Sequence, residues 1–119
     1  MNATELLMRN FNEIFTELDP VGRAALLAES FTEDCLWIHP GGRIVGRDGI
    51  NEEATEIRKH FPDNRYTVTS EVQSMHNVAT CRWGSGMSGQ PFHYTGTHFL
   101  EEREGRVSRL YTFIDQEPF

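Results

Sequence analysis

His39 ends the apolar run Cys35-Leu36-Trp37-Ile38-His39 and stands immediately before Pro40-Gly41-Gly42. An imidazole titrates near pH 6.5, so a histidine held at a strand end can act as a base or relay near neutrality. Trp37 and Cys35 share its face by strand alternation. The plainer alternative is a ring that hydrogen-bonds the turn. Among the acidic residues, most of which fall in helices, caps or turns, Asp115 and Glu71 are the main exceptions. Asp115 could polarise His39 or take a proton itself. It could equally be solvated or paired with an arginine, and alternation with Thr112 and Ile114 would turn it outward.

Arg82 and Thr80 lie on one face of a strand, and Cys81 and Trp83 on the other. If polar residues line a pocket, Arg82 orients a substrate oxygen and Trp83 packs at an interface between subunits; the reverse assignment stays open. His93 and His98 have an odd separation, so one regular strand points them opposite ways and they cannot jointly hold a metal. His60 and His76 fall at a helix end and in a turn, and no metal site is expected. Gly84-Ser85-Gly86-Met87-Ser88-Gly89 fits G-x-G-x-x-G literally, yet it runs into Gln90-Pro91 and another strand. A dinucleotide fingerprint must open a helix, so the stretch is a hairpin loop. Lys59, the sole lysine, sits on a helix, which argues against imine chemistry.

The elements that must position these groups follow from periodicity. Leu7, Phe11, Ile14, Phe15 and Leu18 form one helical stripe. Asp19-Pro20 stops that helix and caps a second, whose buried side is Val21, Ala24, Ala25, Leu27, Ala28 and Phe31. Thr32-Glu33-Asp34 breaks the period before a strand over 35–39, and Arg43-Ile44-Val45 is a short return strand. A third helix, capped by Asp48, carries Ile50, Ala54, Ile57 and Phe61 and closes at Pro62. Four long strands are then predicted over 65–75, 78–85, 91–101 and 106–116, joined by connections short enough for antiparallel hairpins. The fold class is α+β, with helices covering one face of a curved sheet.

With 119 residues the chain is the size of one domain, 1–119, able to bury a core without disulfides or metal. A net charge of −7 repels phosphate backbones and anionic lipid, so neither nucleic acid nor membrane is an expected partner. Cys35 and Cys81 fit no C-x-x-C pattern and suit buried thiols in a reducing compartment. Met1-Asn2-Ala3-Thr4-Glu5 opens no secretion signal, and no stretch is apolar for long enough to span a bilayer, so a cytoplasmic protein is expected.

Three landmarks carry a resemblance over essentially the whole chain. They are Phe31-Thr32-Glu33-Asp34-Cys35, Gly46-Arg47-Asp48-Gly49-Ile50, and Glu104-Gly105-Arg106-Val107 with Asp115 ten residues after the glycine. With this order of elements, the chain resembles the nuclear transport factor 2-like superfamily, and within it the SnoaL-like polyketide cyclases and the ketosteroid isomerases. The resemblance implies a cone-shaped fold with an apolar pocket between sheet and helices, commonly in a homodimer. It places His39 where the isomerases carry the proton-moving Asp, and Asp115 where SnoaL-like cyclases carry an acid–base aspartate. Thr97 falls where the isomerases carry a protonated acid, so His93, Thr95, Thr97 and Phe99 would face the pocket and His98 would face out. Phe11 and Phe15 occupy the plausible positions of the isomerase tyrosine. Both oxyanion donors therefore depart from the pattern, which argues against steroid isomerisation. Gly84 stands where limonene epoxide hydrolases complete Arg-x-Asp, so epoxide opening lacks its acid.

The expected site is accordingly His39 and Asp115 as catalytic residues, with Trp37, Arg82, His93, Thr97, Thr112 and Phe15 around a ligand. The expected activity is cofactor-free proton transfer alpha to the carbonyl of a small apolar cyclic compound, in a homodimer. The competing reading is a non-catalytic ligand-binding or dimerisation module on the same fold.

Overall fold

Asn2 starts the first helix with a reciprocal cap: its side chain accepts the Glu5 N–H at 2.8 Å, and the Glu5 carboxylate accepts the Asn2 N–H at 3.1 Å. The computed structural model describes residues 1–116. Helix α1 (Ala3–Arg9) runs into a π-helical turn, Asn10–Ile14, which seats Phe11, Ile14 and Phe15 in the core. The wider turn shifts the predicted stripe, and Leu18 is left 59% exposed.

Asp19 caps α2 (Pro20–Ser30), accepting the Val21 N–H at 3.1 Å. The buried side of α2 is not the alanine face expected. Val21, Ala24, Ala25 and Ala28 face outward, and Arg23, Leu27 and Ser30 face in. Arg23 accounts for the difference, because its guanidinium reaches across to Asn51 Oδ1 (2.8 Å) and Thr55 Oγ1 (2.7 Å) on α3 (Arg47–His60). That bond set fixes which way α2 rolls. Helix α3 is preceded by Gly46 at φ 84°, a left-handed conformation that suits glycine. Asp48, expected as the cap, sits inside the first turn, where its charge still complements the helix dipole.

Strand β1 runs Phe31–His39 rather than starting at Cys35. Its pairing with β7 slips between Phe31 and Leu36, so Thr32-Glu33-Asp34 breaks the hydrophobic period as an irregularity within the strand. After β2 (Gly42–Val45), the predicted strand over 65–75 is two strands, β3 (Arg65–Val68) and β4 (Gln73–Met75). Both pair with β5 (Val78–Gly86), and β6 (Tyr94–Arg103) and β7 (Arg106–Ile114) complete the sheet. The order is β2-β1-β7-β6-β5-β3 with β4 also on β5. Only β1 and β7 are parallel, because the chain crosses from one to the other by way of α3 and the meander.

The helices cover one face of this sheet, as expected of the cone-shaped α+β class. That inner face carries Cys35 and Trp37 from β1, Leu110 and Thr112 from β7, and His98 and Leu100 from β6; Cys81 and Trp83 reach it from β5. Gly96 is required there: a Cβ would lie 2.1 Å from the Phe113 carbonyl oxygen and 2.8 Å from the Trp83 indole. Cys35 and Cys81 are buried free thiols, and burial raises the Cys81 thiol to about 11, so both behave as small core residues.

Candidate functional site

Between α1, α3 and the inner face of the sheet lies a cavity of about 40 Å³ with an aromatic wall. A volume of that size takes a few water-sized groups, and the cavity is open to solvent at its mouth, where the rest of a larger ligand would lie. Phe11 and Phe15 reach it from the π turn, Trp37 and His39 from β1, and Ile57 and Arg58 from α3. The inner-facing Trp83, Tyr94, His98 and Thr112 close it from the sheet.

His39 stacks on Trp37 with ring centroids 4.4 Å apart. Its Nδ1 accepts the Gly41 N–H at 3.1 Å, so a neutral ring carries its proton on Nε2. That Nε2 lies 3.4 Å from Glu53 Oε2 on α3, out of line for a hydrogen bond. His39 therefore does both things foreseen for it: it lines the cavity, and its ring bonds the turn.

The deeper histidine is His98, packed against Phe11 at 4.8 Å and edge-on to Trp83 at 5.3 Å. Burial lowers its pKa to about 3, which keeps the ring neutral at neutral pH. Trp37 Nε1 donates to Thr112 Oγ1 at 2.9 Å, and Thr112 Oγ1 lies 3.4 Å from His98 Nε2. With the Thr112 hydroxyl donating to Nε2, the imidazole proton sits on Nδ1; in the other tautomer Nε2–H donates to the second lone pair of Thr112 Oγ1. Burial likewise lifts the Tyr66 phenol well above its ordinary range, so it stays protonated.

Of the site expected from sequence, Phe15, Trp37, His39 and Thr112 meet on the cavity wall. Asp115, Arg82, Thr97 and His93 do not. Arg82 donates to Thr97 Oγ1 and to Asp115 Oδ1, both at 3.0 Å, on the outer face of the sheet. The Thr95 hydroxyl also donates to Asp115, at 2.6 Å. These bonds, the one from Arg82 foremost, hold the Asp115 carboxyl down at about 2. The pairing expected between His39 and Asp115 is therefore not made; Asp115 takes the arginine partner instead. His93 precedes β6 and packs beside Phe61, with centroids 5.8 Å apart.

Sequence reasoning missed His98, Trp83, Arg58, Tyr66 and Glu53. His98 was expected to face outward and the side of Trp83 was left open; both are buried. The signal for them was alternation: Tyr94, Gly96, His98 and Leu100 form the small-or-apolar series of β6, against Thr95, Thr97 and Glu101. Among the described residues no group of three or more His, Cys, Asp or Glu could hold a metal, and no helix is long and apolar enough to cross a membrane.

The SnoaL-like domain family matches residues 8–110. No curated protein matches the chain significantly. Among solved structures, a provisionally assigned isomerase of the SnoaL-like family from Agrobacterium tumefaciens superposes with a TM-score of 0.87. It is 19% identical, with 96% of this chain and 97% of that one covered. A provisionally assigned SnoaL-like polyketide cyclase from Jannaschia superposes at 0.78, with 16% identity over 95% of this chain and 85% of that one. A nuclear transport factor 2-like protein of unknown function from Cytophaga hutchinsonii superposes at 0.70, with 12% identity over 97% and 91%. At these identities the structures establish a shared fold, and the sequence match establishes kinship: the chain belongs to the SnoaL-like family, on the nuclear transport factor 2-like fold.

Proposed function

We propose that this protein is a small-molecule enzyme of the isomerase or cyclase type, doing cofactor-free acid–base chemistry on a small, largely apolar cyclic carbonyl compound. The observation that carries the reading is the His39 ring on the wall of an aromatic cavity, with Nε2 3.4 Å from Glu53 Oε2. Glu53 takes the supporting part once assigned to Asp115. To accept a proton at Nε2, neutral His39 must move its own proton to Nδ1 and give up the Gly41 bond. That costs about 1 kcal/mol and leaves a base form at roughly one molecule in six. Once Nε2 is protonated, the imidazolium faces the Glu53 carboxylate. The buried N–H groups of Trp83 and His98 receive the carbonyl oxygen, replacing Thr97 and Arg82.

The test is exchange in heavy water, since proton transfer alpha to a carbonyl leaves deuterium on carbon whatever the later steps. Cyclohexanone, cyclopentenone and 1-tetralone are incubated with the protein and α-deuteration is followed by NMR. His39→Ala should slow it by about 100-fold. An unchanged rate in that variant rules out the mechanism.

The second reading, a non-catalytic ligand-binding or dimerisation module, is favoured by one observation: the Gly41 N–H already occupies the Nδ1 lone pair. It predicts no deuteration by the wild type while ligands still bind. Either reading places the chain in a homodimer through the outer sheet face, where Phe113 is 64% exposed. Gel filtration should then give twice the 13.7 kDa chain mass. The two buried free thiols suit work in the cytoplasm.

A further inference from the structure

Four residues that line the cavity carry a buried polar atom without a hydrogen-bond partner. Arg58 Nε, Trp83 Nε1, His39 Nε2 and His98 Nδ1 are buried and make no hydrogen bond. The first two are N–H groups by chemistry. His39 Nε2 is an N–H because Nδ1 accepts from the Gly41 N–H, and His98 Nδ1 is one in the tautomer whose Nε2 accepts from the Thr112 hydroxyl. Of the four, His39 Nε2 has a carboxylate near, Glu53 Oε2 at 3.4 Å. Among the described residues no Asp or Glu lines the cavity, and Thr112 Oγ1 already accepts from Trp37.

Charge is one-sided as well. Arg58 donates to the backbone oxygens of Asn64 (2.8 Å) and Pro62 (3.0 Å), and no ion pair among the described residues includes it. Arg58 and the buried guanidinium of Arg23 also act on each other as like charges. A buried cation held by neutral carbonyl oxygens calls for an anion. A neutral ketone offers two lone pairs. A carboxylate offers about four and brings the missing negative charge.

We infer that the ligand of this cavity is a small carboxylic acid, bound through its carboxylate to Arg58 Nε–H and to the Trp83 and His98 N–H groups, with its apolar body among the aromatic rings. This rests on the proposed function only in using the same cavity. It narrows the substrate from any cyclic ketone to an acid that enolises at its own carboxyl group, whose oxygens these N–H groups then receive.

The experiment is calorimetric titration of the full chain with acetate and benzoate, and with benzamide, acetophenone and benzylamine as neutral and cationic counterparts. Benzoate or acetate should bind at least tenfold tighter than benzamide and acetophenone, and benzylamine should not bind. Trp83→Phe removes the indole N–H together with its pyrrole ring, so acetophenone serves as the control for lost packing, and carboxylate binding should weaken about fivefold more than acetophenone binding does. Arg58→Met should abolish the preference; the Trp83 variant carries the test if loss of the Asn64 and Pro62 bonds unfolds it. Equal or tighter binding of acetophenone overturns the inference, as does no carboxylate binding at about 10 mM, a concentration that captures even weak ligands. Carboxylate binding without α-deuteration keeps this inference and removes the catalytic reading. Deuteration of neutral ketones with no carboxylate preference does the reverse.

Discussion

His98 makes the stability of this protein depend on acidity in a window that few other groups share. Its ring is enclosed by Phe11 at 4.8 Å, Trp83 at 5.3 Å and Phe15 at 6.5 Å, with the Thr112 hydroxyl 3.4 Å from Nε2. No carboxylate among the described residues lines that space, so an imidazolium there would be uncompensated. The folded pKa is lowered to about 3, against 6.5 for a free side chain. The sign follows directly. Above pH 6.5 the ring is neutral in both states and costs nothing, whereas between 6.5 and about 3 the unfolded chain binds a proton that the folded one refuses. Stability is therefore lost as the pH falls through this window. At pH 5 the loss from this one ring is about 2 kcal/mol. Carboxylates do not confuse the reading, because the depressed carboxyls of Asp115 and Asp34 lose their contribution only below about pH 4. The assay is urea unfolding at pH 7 and pH 5, followed by far-ultraviolet circular dichroism, for the wild type and His98→Gln. The glutamine variant should show a drop between the two pH values smaller by about 2 kcal/mol. The remaining histidines are common to both proteins and cancel. If both lose the same stability to within about 0.5 kcal/mol, His98 is not the enclosed neutral ring described here.

Three further outcomes follow from particular contacts. Trp37→Phe removes the 2.9 Å bond to Thr112 and leaves a buried hydroxyl one partner short, so unfolding in urea should become easier by about 1–2 kcal/mol. Gly96→Ala forces a Cβ against the Phe113 carbonyl oxygen and the Trp83 indole; it should cost about 3 kcal/mol or more and change the tryptophan emission spectrum, and a wild-type urea midpoint would contradict the close approach. Asp115→Asn touches only the exposed outer face, so the α-deuteration rate should stay within about twofold of wild type, and a collapse of that rate would return Asp115 to the active site.

Much of the architecture was legible because each element carries its own signal. The cap at Asp19, the apolar period of α3 and the alternation of the last three strands all match local physics to local structure. The departures come from long-range contacts. The π turn at Asn10–Ile14 and the roll of α2 about Arg23 are settled by packing on neighbours and by bonds to Asn51 and Thr55, none of them close in sequence. The split of 65–75 into β3 and β4 depends on pairing with β5, where the Thr69 N–H reaches the Arg82 carbonyl before the chain leaves the ladder.

The candidate site turns on a single binary choice. Arg82 pairs with Thr97, and Thr97 with Phe113; one residue along, Cys81 pairs with His98, and His98 with Thr112. Cross-strand partners share a face, so deciding one position decides all three strands. A landmark match at Thr97 sends Arg82 into the pocket and His98 out. The apolar series Ala79, Cys81, Trp83 and Tyr94, Gly96, Leu100 sends His98 and Thr112 in, and takes Arg82, Thr97 and Asp115 to the outside together. Burying Trp83 and Leu100 is worth several kcal/mol, and keeping an arginine's charge in water avoids a comparable cost, so the second choice wins on energy. A polar residue singled out by resemblance carries no such weight. What alternation cannot supply is the hydrogen inventory of the cavity. Which ring nitrogens carry protons depends on Gly41 and Thr112, whose contacts exist only once β1, β6 and β7 lie side by side. The chemistry of the ligand is therefore written in the unpaired donors, and these appear only in the folded chain.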